Sequence, residues 1–232
     1  KAQGLAGKPV ADIRIDGAGK KVTRSDNCRV SDLSVSSDNL TFTYEAKSLP
    51  YPIDTSYYDN EKHTQADALS VIPFMDEMNY EGLSVSGLSD GYYGLTIGGE
   101  FIGRFTAREL ERGINMALLQ NTPQYKQAMK IRQMNEERWL KERKMREFYW
   151  VEYNLMRKTG MLWACDEAAV DTLRKYRPHD IFLQWNGDLW LQYMHKGIRE
   201  DCVNEQQNLV DRIYEQNKPI PLRIEIKKFT DL

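Results

Sequence analysis

The chain is short of the residues on which most compact catalytic sets depend. Its three cysteines, Cys28, Cys165 and Cys202, are odd in number, far apart and never in a Cys-x-x-Cys pair. That pattern argues against a disulfide scaffold or a zinc site; it leaves three reduced, mostly buried thiols, or one disulfide with a spare thiol. Histidine is equally scarce. His63, His179 and His195 are the whole supply, none stands in Asp-x-x-His, and neither Gly-x-Ser-x-Gly nor Gly-Asp-Ser occurs. A nucleophile with its base and orienting acid is therefore not expected within these residues. No run of eighteen apolar residues is present, so no membrane-spanning helix is expected.

Other absences narrow the field further. The glycines lack the strand, Gly-rich loop and helix layout that cradles phosphate, and no metal-ligand spacing stands out, so neither cofactor nor metal is expected. The adjacent carboxylates Asp76-Glu77 and Asp166-Glu167 read as solvated, with Asp166 a helix N-cap. A formal charge of −2 over 232 residues gives no chain-wide basic surface. Positive charge concentrates between Lys126 and Lys158, where ten Lys or Arg face five Glu and are interleaved with Trp139, Tyr149, Trp150 and Tyr153. Charge with aromatics can bind single-stranded nucleic acid. A solvated helix with i,i+4 ion pairs at Glu137–Lys141 and Glu142–Arg146 is the preferred reading, and no nucleic-acid partner is assigned.

What the chain does have is order along its length. Val10–Asp16 alternates and ends at Asp16-Gly17-Ala18-Gly19; Cys28–Val35 and Leu40–Ala46 are strands about the turn Ser36–Asn39, with Leu40, Phe42 and Tyr44 on one face. Ala68–Phe74 and Leu83–Leu88 read as further strands, after a polar loop from Asp54 to Asp67. Tyr93, Leu95 and Ile97 then alternate into Gly98-Gly99, a two-residue hairpin turn, and the return strand ends in Thr106-Ala107-Arg108-Glu109, a capping box. Leu110, Ile114, Ala117 and Leu118 predict that the helix so capped continues to about Leu119. Thr122-Pro123 opens a second helix, free of Pro and Gly through Lys158 and stopped at Gly160. Asp166–Tyr176 is a shorter helix, Asn186-Gly187-Asp188 a turn, Leu189–Gln216 a helix interrupted at Gly197, and Ile220–Lys228 a closing strand.

One resemblance goes beyond pattern. The segments NCRVSDLSVSSDNLTFTYEAKSLPYPID (27–54) and DEMNYEGLSVSGLSDGYYGLTIGGEFIGRFTARELERGINMALLQNTP (76–123) resemble the region after the catalytic domain in bacterial SGNH/GDSL-type ester hydrolases. Its most specific pieces are Ala46-Lys47-Ser48-Leu49-Pro50, Asn79 before the strand ending Gly87-Leu88, and Gly113-Ile114-Asn115-Met116-Ala117, where the family has Leu in place of Met116. It extends from Lys1 to about Lys158 and only loosely over the last 70 residues. The resemblance implies that the family's catalytic Ser, its oxyanion Gly and Asn and its Asp-x-x-His all lie N-terminal to Lys1. No catalytic residue of the family maps onto this chain. With no initiator Met before Lys1-Ala2-Gln3-Gly4, the chain is expected to be processed or cut from something longer.

The resulting expectation is an α+β chain: the tail of a preceding hydrolase domain (1–9), a small antiparallel β-sandwich-like domain (10–105), and a helical region with one very long helix and a closing strand (106–232). Its expected role is as an accessory region of an ester hydrolase, partnered by the missing hydrolase domain, acting on a carbohydrate-derived ester and located outside the cytoplasm. Alternatives are a carbohydrate-binding module stacking sugars on Tyr51, Tyr57 and Tyr58, joined by Tyr92 and Tyr93, and a homo-oligomer formed through Ala128–Met156. The junction residues singled out are Gly98, Gly99, Thr106, Glu109 and Asn115, the last expected to bond backbone where sheet meets helix.

Overall fold

Alternation of apolar and polar side chains builds two sheets. The computed structural model describes residues 8–56 and 62–229; most of the anticipated 1–9 tail, together with Tyr57 and Tyr58, lies outside them. β1 (Ala11–Asp16) buries Ala11, Ile13 and Ile15. β2 (Lys21–Asp26) follows a turn in which Asp16 Oδ1 accepts from the Gly19 N–H at 2.8 Å. β2 has no apolar alternation for a sequence reading to find. It is an edge strand, and its charged, exposed side chains suit that place. β3 (Cys28–Val35), β4 (Asn39–Ala46), β5 (Glu81–Ser86), β6 (Tyr92–Ile97), β7 (Glu100–Thr106), the two-residue β8 (Ile114–Asn115) and β9 (Leu222–Lys228) complete the set.

The first sheet runs β2-β1-β5-β8 and the second β3-β4-β9-β6-β7. All pairings are antiparallel except β1 with β5, which is parallel. The closing strand is not peripheral: β9 lies between β4 and β6, with Leu222, Ile224 and Ile226 all buried. Both sheets supply one core, from Ile13, Ile15, Leu83 and Val85 on one side to Phe42, Tyr44, Tyr93, Leu95 and Ile224 on the other. Each such side chain contributes about 2 kcal/mol by leaving water.

Two expected elements are replaced. Ala68–Phe74 is not a strand but a 3-10 turn (Gln65–Ser70), then α1 (Phe74–Glu77) beyond Pro73. Its apolar Val71 and Ile72 are exposed, so no sheet face was there to hold them. The helix capped by Thr106 is only α2 (Ala107–Arg112). Gly113, at φ 95°, ends it, and the chain returns to extended backbone so that Ile114 and Asn115 pair with Leu83 and Gly82. Met116 and Ala117 still reach the interior, through a 3-10 turn, whereas Leu118 faces out. The helical spacing of Leu110, Ile114 and Ala117 is a coincidence of inward positions on irregular backbone, and Leu118 does not share it.

α3 (Pro123–Val151) runs on through a π-helical turn (Glu152–Met156), and Gly160 at φ 76° closes it, with the Met161 N–H bonded to the Met156 carbonyl at 2.7 Å. α4 (Glu167–Tyr176) is capped by Asp166; α5 (Ile181–Tyr193) and α6 (Lys196–Gln216) follow. Asn186-Gly187-Asp188 is thus helix interior, not a turn. The Arg177 guanidinium lies so close that a Cβ on Gly187 would sit 3.1 Å from its Nε, and it bonds both Asp188 oxygens at 2.7 Å. Lys141 pairs with Glu205 rather than Glu137, while Glu142 pairs with Arg138 and Arg146.

The chain forms two compact units, one reaching Arg132 and resuming at Gln216, the other Gln133–Glu215. α2, the first turns of α3 and β9 therefore belong with the sheets, although the sequence changes from strand to helix character at residue 106. The second unit has its own core, including Phe148, Val151, Met156, Leu173, Trp190 and Cys202.

Candidate functional site

The strongest polar construction in the sheet unit gathers around Asn115. Its Oδ1 accepts from the Glu81 N–H (2.9 Å) and the Ala117 N–H (3.1 Å); its Nδ2 donates to the Met75 carbonyl (3.0 Å) and the Asn79 carbonyl (3.4 Å). Asn79, buried, continues the chain of bonds: its Oδ1 accepts from the Tyr51 N–H at 2.8 Å and its Nδ2 donates to the Tyr51 carbonyl at 2.9 Å. Two amides thus lace β5, β8 and the Tyr51 loop together, doing for irregular backbone what a sheet ladder does for strands.

Beside them stands a buried acid. Glu81 has no exposed surface; its Oε1 accepts from the Tyr44 hydroxyl at 2.8 Å and from Gln124 Nε2 at 3.2 Å. Its Oε2 and the Gln124 Oε1 are both buried without a hydrogen-bond partner. Burial pushes the Glu81 carboxyl up to about 7, against the opposing pull of the Tyr44 and Gln124 donors. The Tyr44 hydroxyl is pushed up by its own burial and by Glu81. Glu81 joins β4, β5 and the first turn of α3, and its chemistry is that of an internal pin.

The helical unit holds a second buried carboxylate. Glu152 opens the π-turn; its Oε1 accepts from Trp190 Nε1 at 2.8 Å and its Oε2 from the Trp163 N–H at 2.9 Å. Trp163 has φ 66°, a left-handed conformation costing about 1–2 kcal/mol, and its N–H bond to the Glu152 side chain helps hold it there. So held, the indole stacks on Phe148 at 6.4 Å and meets Tyr149 and Tyr153 edge-on at 6.0 Å each. Tyr149, Tyr153 and Trp163 stay 38, 47 and 45% exposed, an aromatic face beside a cleft of about 620 Å³.

The residues singled out from sequence fall in several places. Gly98 and Gly99, at φ 59° and 86°, make the β6–β7 turn, remote along the hairpin from Thr106. Thr106 Oγ1 accepts from the Glu109 N–H at 3.1 Å, and Glu109 Oε2 from the Thr106 N–H at 2.7 Å, an exposed cap. Tyr51, half exposed, meets Phe74 edge-on at 5.7 Å, and Tyr92 carries the Arg104 guanidinium on its ring at 3.8 Å; Tyr93 is buried. His179 and His195 are exposed and, among the described residues, bond no Ser or Cys. No three His, Cys, Asp or Glu among those residues are placed to hold a metal ion.

Sequence reasoning missed the burial of Glu81 and of Glu152, though each left a trace. Glu81 shares a strand face with Leu83 and Val85, and Glu152 falls between Phe148 and Leu155 on one helical stripe. A carboxylate at an inward position of a periodic segment was the signal.

Against known proteins, residues 129–218 match the family model described as the diltiazem deacetylase C-terminal helical domain. Among solved structures the chain is similar to one described as BT4096, a gut microbial diltiazem-metabolizing enzyme. The two share 37% identity at a TM-score of 0.90, over 98% of this chain and 52% of that one. The chain therefore spans about half the length of that protein. Comparison with curated proteins gave no match.

Proposed function

We propose that this chain is the C-terminal accessory region of an ester hydrolase of the SGNH/GDSL type, one that removes acyl groups from ester substrates with catalytic residues supplied from outside these 232 residues. The observation that carries the reading is the similarity along 98% of the chain to a diltiazem-metabolizing enzyme of about twice its length. The deacetylase family model over residues 129–218 supports the ester-cleaving chemistry. The motifs at 27–54 and 76–123 support the SGNH type. In this role the sheet unit and its Asn115–Glu81 centre are a rigid support, and the hydrolase domain is its partner. An extracytoplasmic location belongs to the same proposal and rests on the same motifs.

The test is p-nitrophenyl acetate hydrolysis by the isolated chain and by the complete product of its gene. The longer protein should hydrolyse the ester, and the isolated chain should match buffer. Turnover by the isolated chain, or an inactive longer protein with no Gly-Asp-Ser upstream, overturns the reading.

A further inference from the structure

We infer that the helical unit carries a binding site for a small aryl carboxylate, in the cleft between the π-turn and the start of α5. The cleft has a volume of about 340 Å³, the size of a one- or two-ring molecule. Its walls are apolar: Trp150 and Tyr176, with Leu155 and Leu183 buried beneath. Trp150 is braced by Phe182 at 5.2 Å between ring centroids, so its face is set in place.

The polar groups of the rim are the reason for choosing an acid. Lys158 is exposed and makes no ion pair among the described residues; His179 is exposed nearby on the same cleft. The one lining carboxylate, Asp180, is already engaged as the α5 cap: its Oδ1 accepts from the Phe182 N–H at 2.8 Å and the Leu183 N–H at 3.2 Å. The Asn154 amide donates to the Trp150 carbonyl at 2.9 Å. Among the described residues Lys158 is thus a cation without an ion pair on the rim of an aromatic-walled cleft, which fits a carboxylate on a flat apolar body.

A second observation points to the same place. The wide π-turn is anchored by the Arg157 N–H bonded to the Glu152 carbonyl at 2.7 Å. Asn154 and Leu155, inside that turn, line the cleft, and Lys158 and Thr159 follow directly. An α-helix continued without this turn would place those four side chains on different bearings, and such turns recur at functional sites. The inference does not depend on the ester-hydrolase reading.

The experiment is calorimetric titration of the full chain with 1-naphthylacetate, its neutral amide 1-naphthylacetamide, and 2-(1-naphthyl)ethylamine. The acid should bind saturably and about tenfold more tightly than the amide, with the amine weakest. Lys158→Ala should bring the acid down to the affinity of the amide while leaving the amide unchanged. Asn154→Trp, which fills the cleft from an exposed position, should abolish binding of both. No saturable binding of the acid up to about 10 mM overturns the site. Equal affinities for acid and amide, or a Lys158→Ala variant that binds the acid normally, overturn the assignment of ligand class.

Discussion

Replacing Glu81 by Gln tests the account of the sheet unit where its energetics are most exposed. In the folded chain the carboxyl titrates at about 7 rather than near 4.5, because burial penalises the charged form more than Tyr44 and Gln124 favour it. The raised value means that the folded state holds a proton the unfolded state has released. Stability is therefore complete below about pH 4.5, declines as pH rises toward 7, and is flat above. The gap between 4.5 and about 7, at about 1.4 kcal/mol per unit, amounts to about 3 kcal/mol above pH 8. Gln is the same shape without the charge. Its oxygen can accept from the Tyr44 hydroxyl, and its amide N–H has the unpartnered Gln124 Oε1 to meet. Urea unfolding of both proteins between pH 4.5 and 8.5 should show Glu81→Gln within about 0.5 kcal/mol of the parent at the acid end. At the alkaline end it should be more stable by about 3 kcal/mol. Other carboxylates are common to both proteins and cancel in the difference. A difference that does not vary with pH, or a parent more stable than the variant at pH 8, refutes the reasoning.

Asn115→Ala strands the Glu81 and Ala117 N–H groups and two carbonyls in a partly buried setting; a loss of about 2–4 kcal/mol in urea unfolding is expected. Glu152→Gln must turn an amide N–H toward either the Trp163 N–H or Trp190 Nε1, so thermal unfolding should show a loss of about 2–3 kcal/mol with a red shift of tryptophan emission. At Trp163, φ 66° suits glycine, and Trp163→Gly should be about 1 kcal/mol more stable than Trp163→Ala, although both lose the ring. Gly187→Ala should stabilise α5 by up to about 1 kcal/mol once Arg177 is Ala, but not with Arg177 in place; a double-mutant cycle reads the coupling.

The family signals were divided along the chain. The motifs that carry the resemblance read from sequence lie at 27–54 and 76–123, whereas the family-model match lies at 129–218, of which that resemblance reached only to about Lys158. Gly113-Ile114-Asn115 is a motif tied to backbone geometry: its glycine holds φ 95° and its amide bonds four backbone groups. A helical core can be rebuilt from many apolar combinations, so it leaves less of a motif for the eye.

Local chemistry by itself determined the elements whose residues agree with their neighbours: the Gly98-Gly99 hairpin, the Thr106–Glu109 cap, the start of α3 at Thr122-Pro123, and the stop at Gly160. Each depends on dihedral preference or on a bond within a few residues, and both are written in sequence. Tertiary structure alone decided that β9 enters the middle of a sheet, that Gly187 lies inside a helix to admit Arg177, and that Glu81 and Glu152 are buried. Those outcomes hang on partners far away in sequence: β4 and β6 for β9, Tyr44 and Gln124 for Glu81, Trp190 for Glu152. An inward carboxylate costs several kcal/mol until such partners arrive, and only the assembled fold brings them.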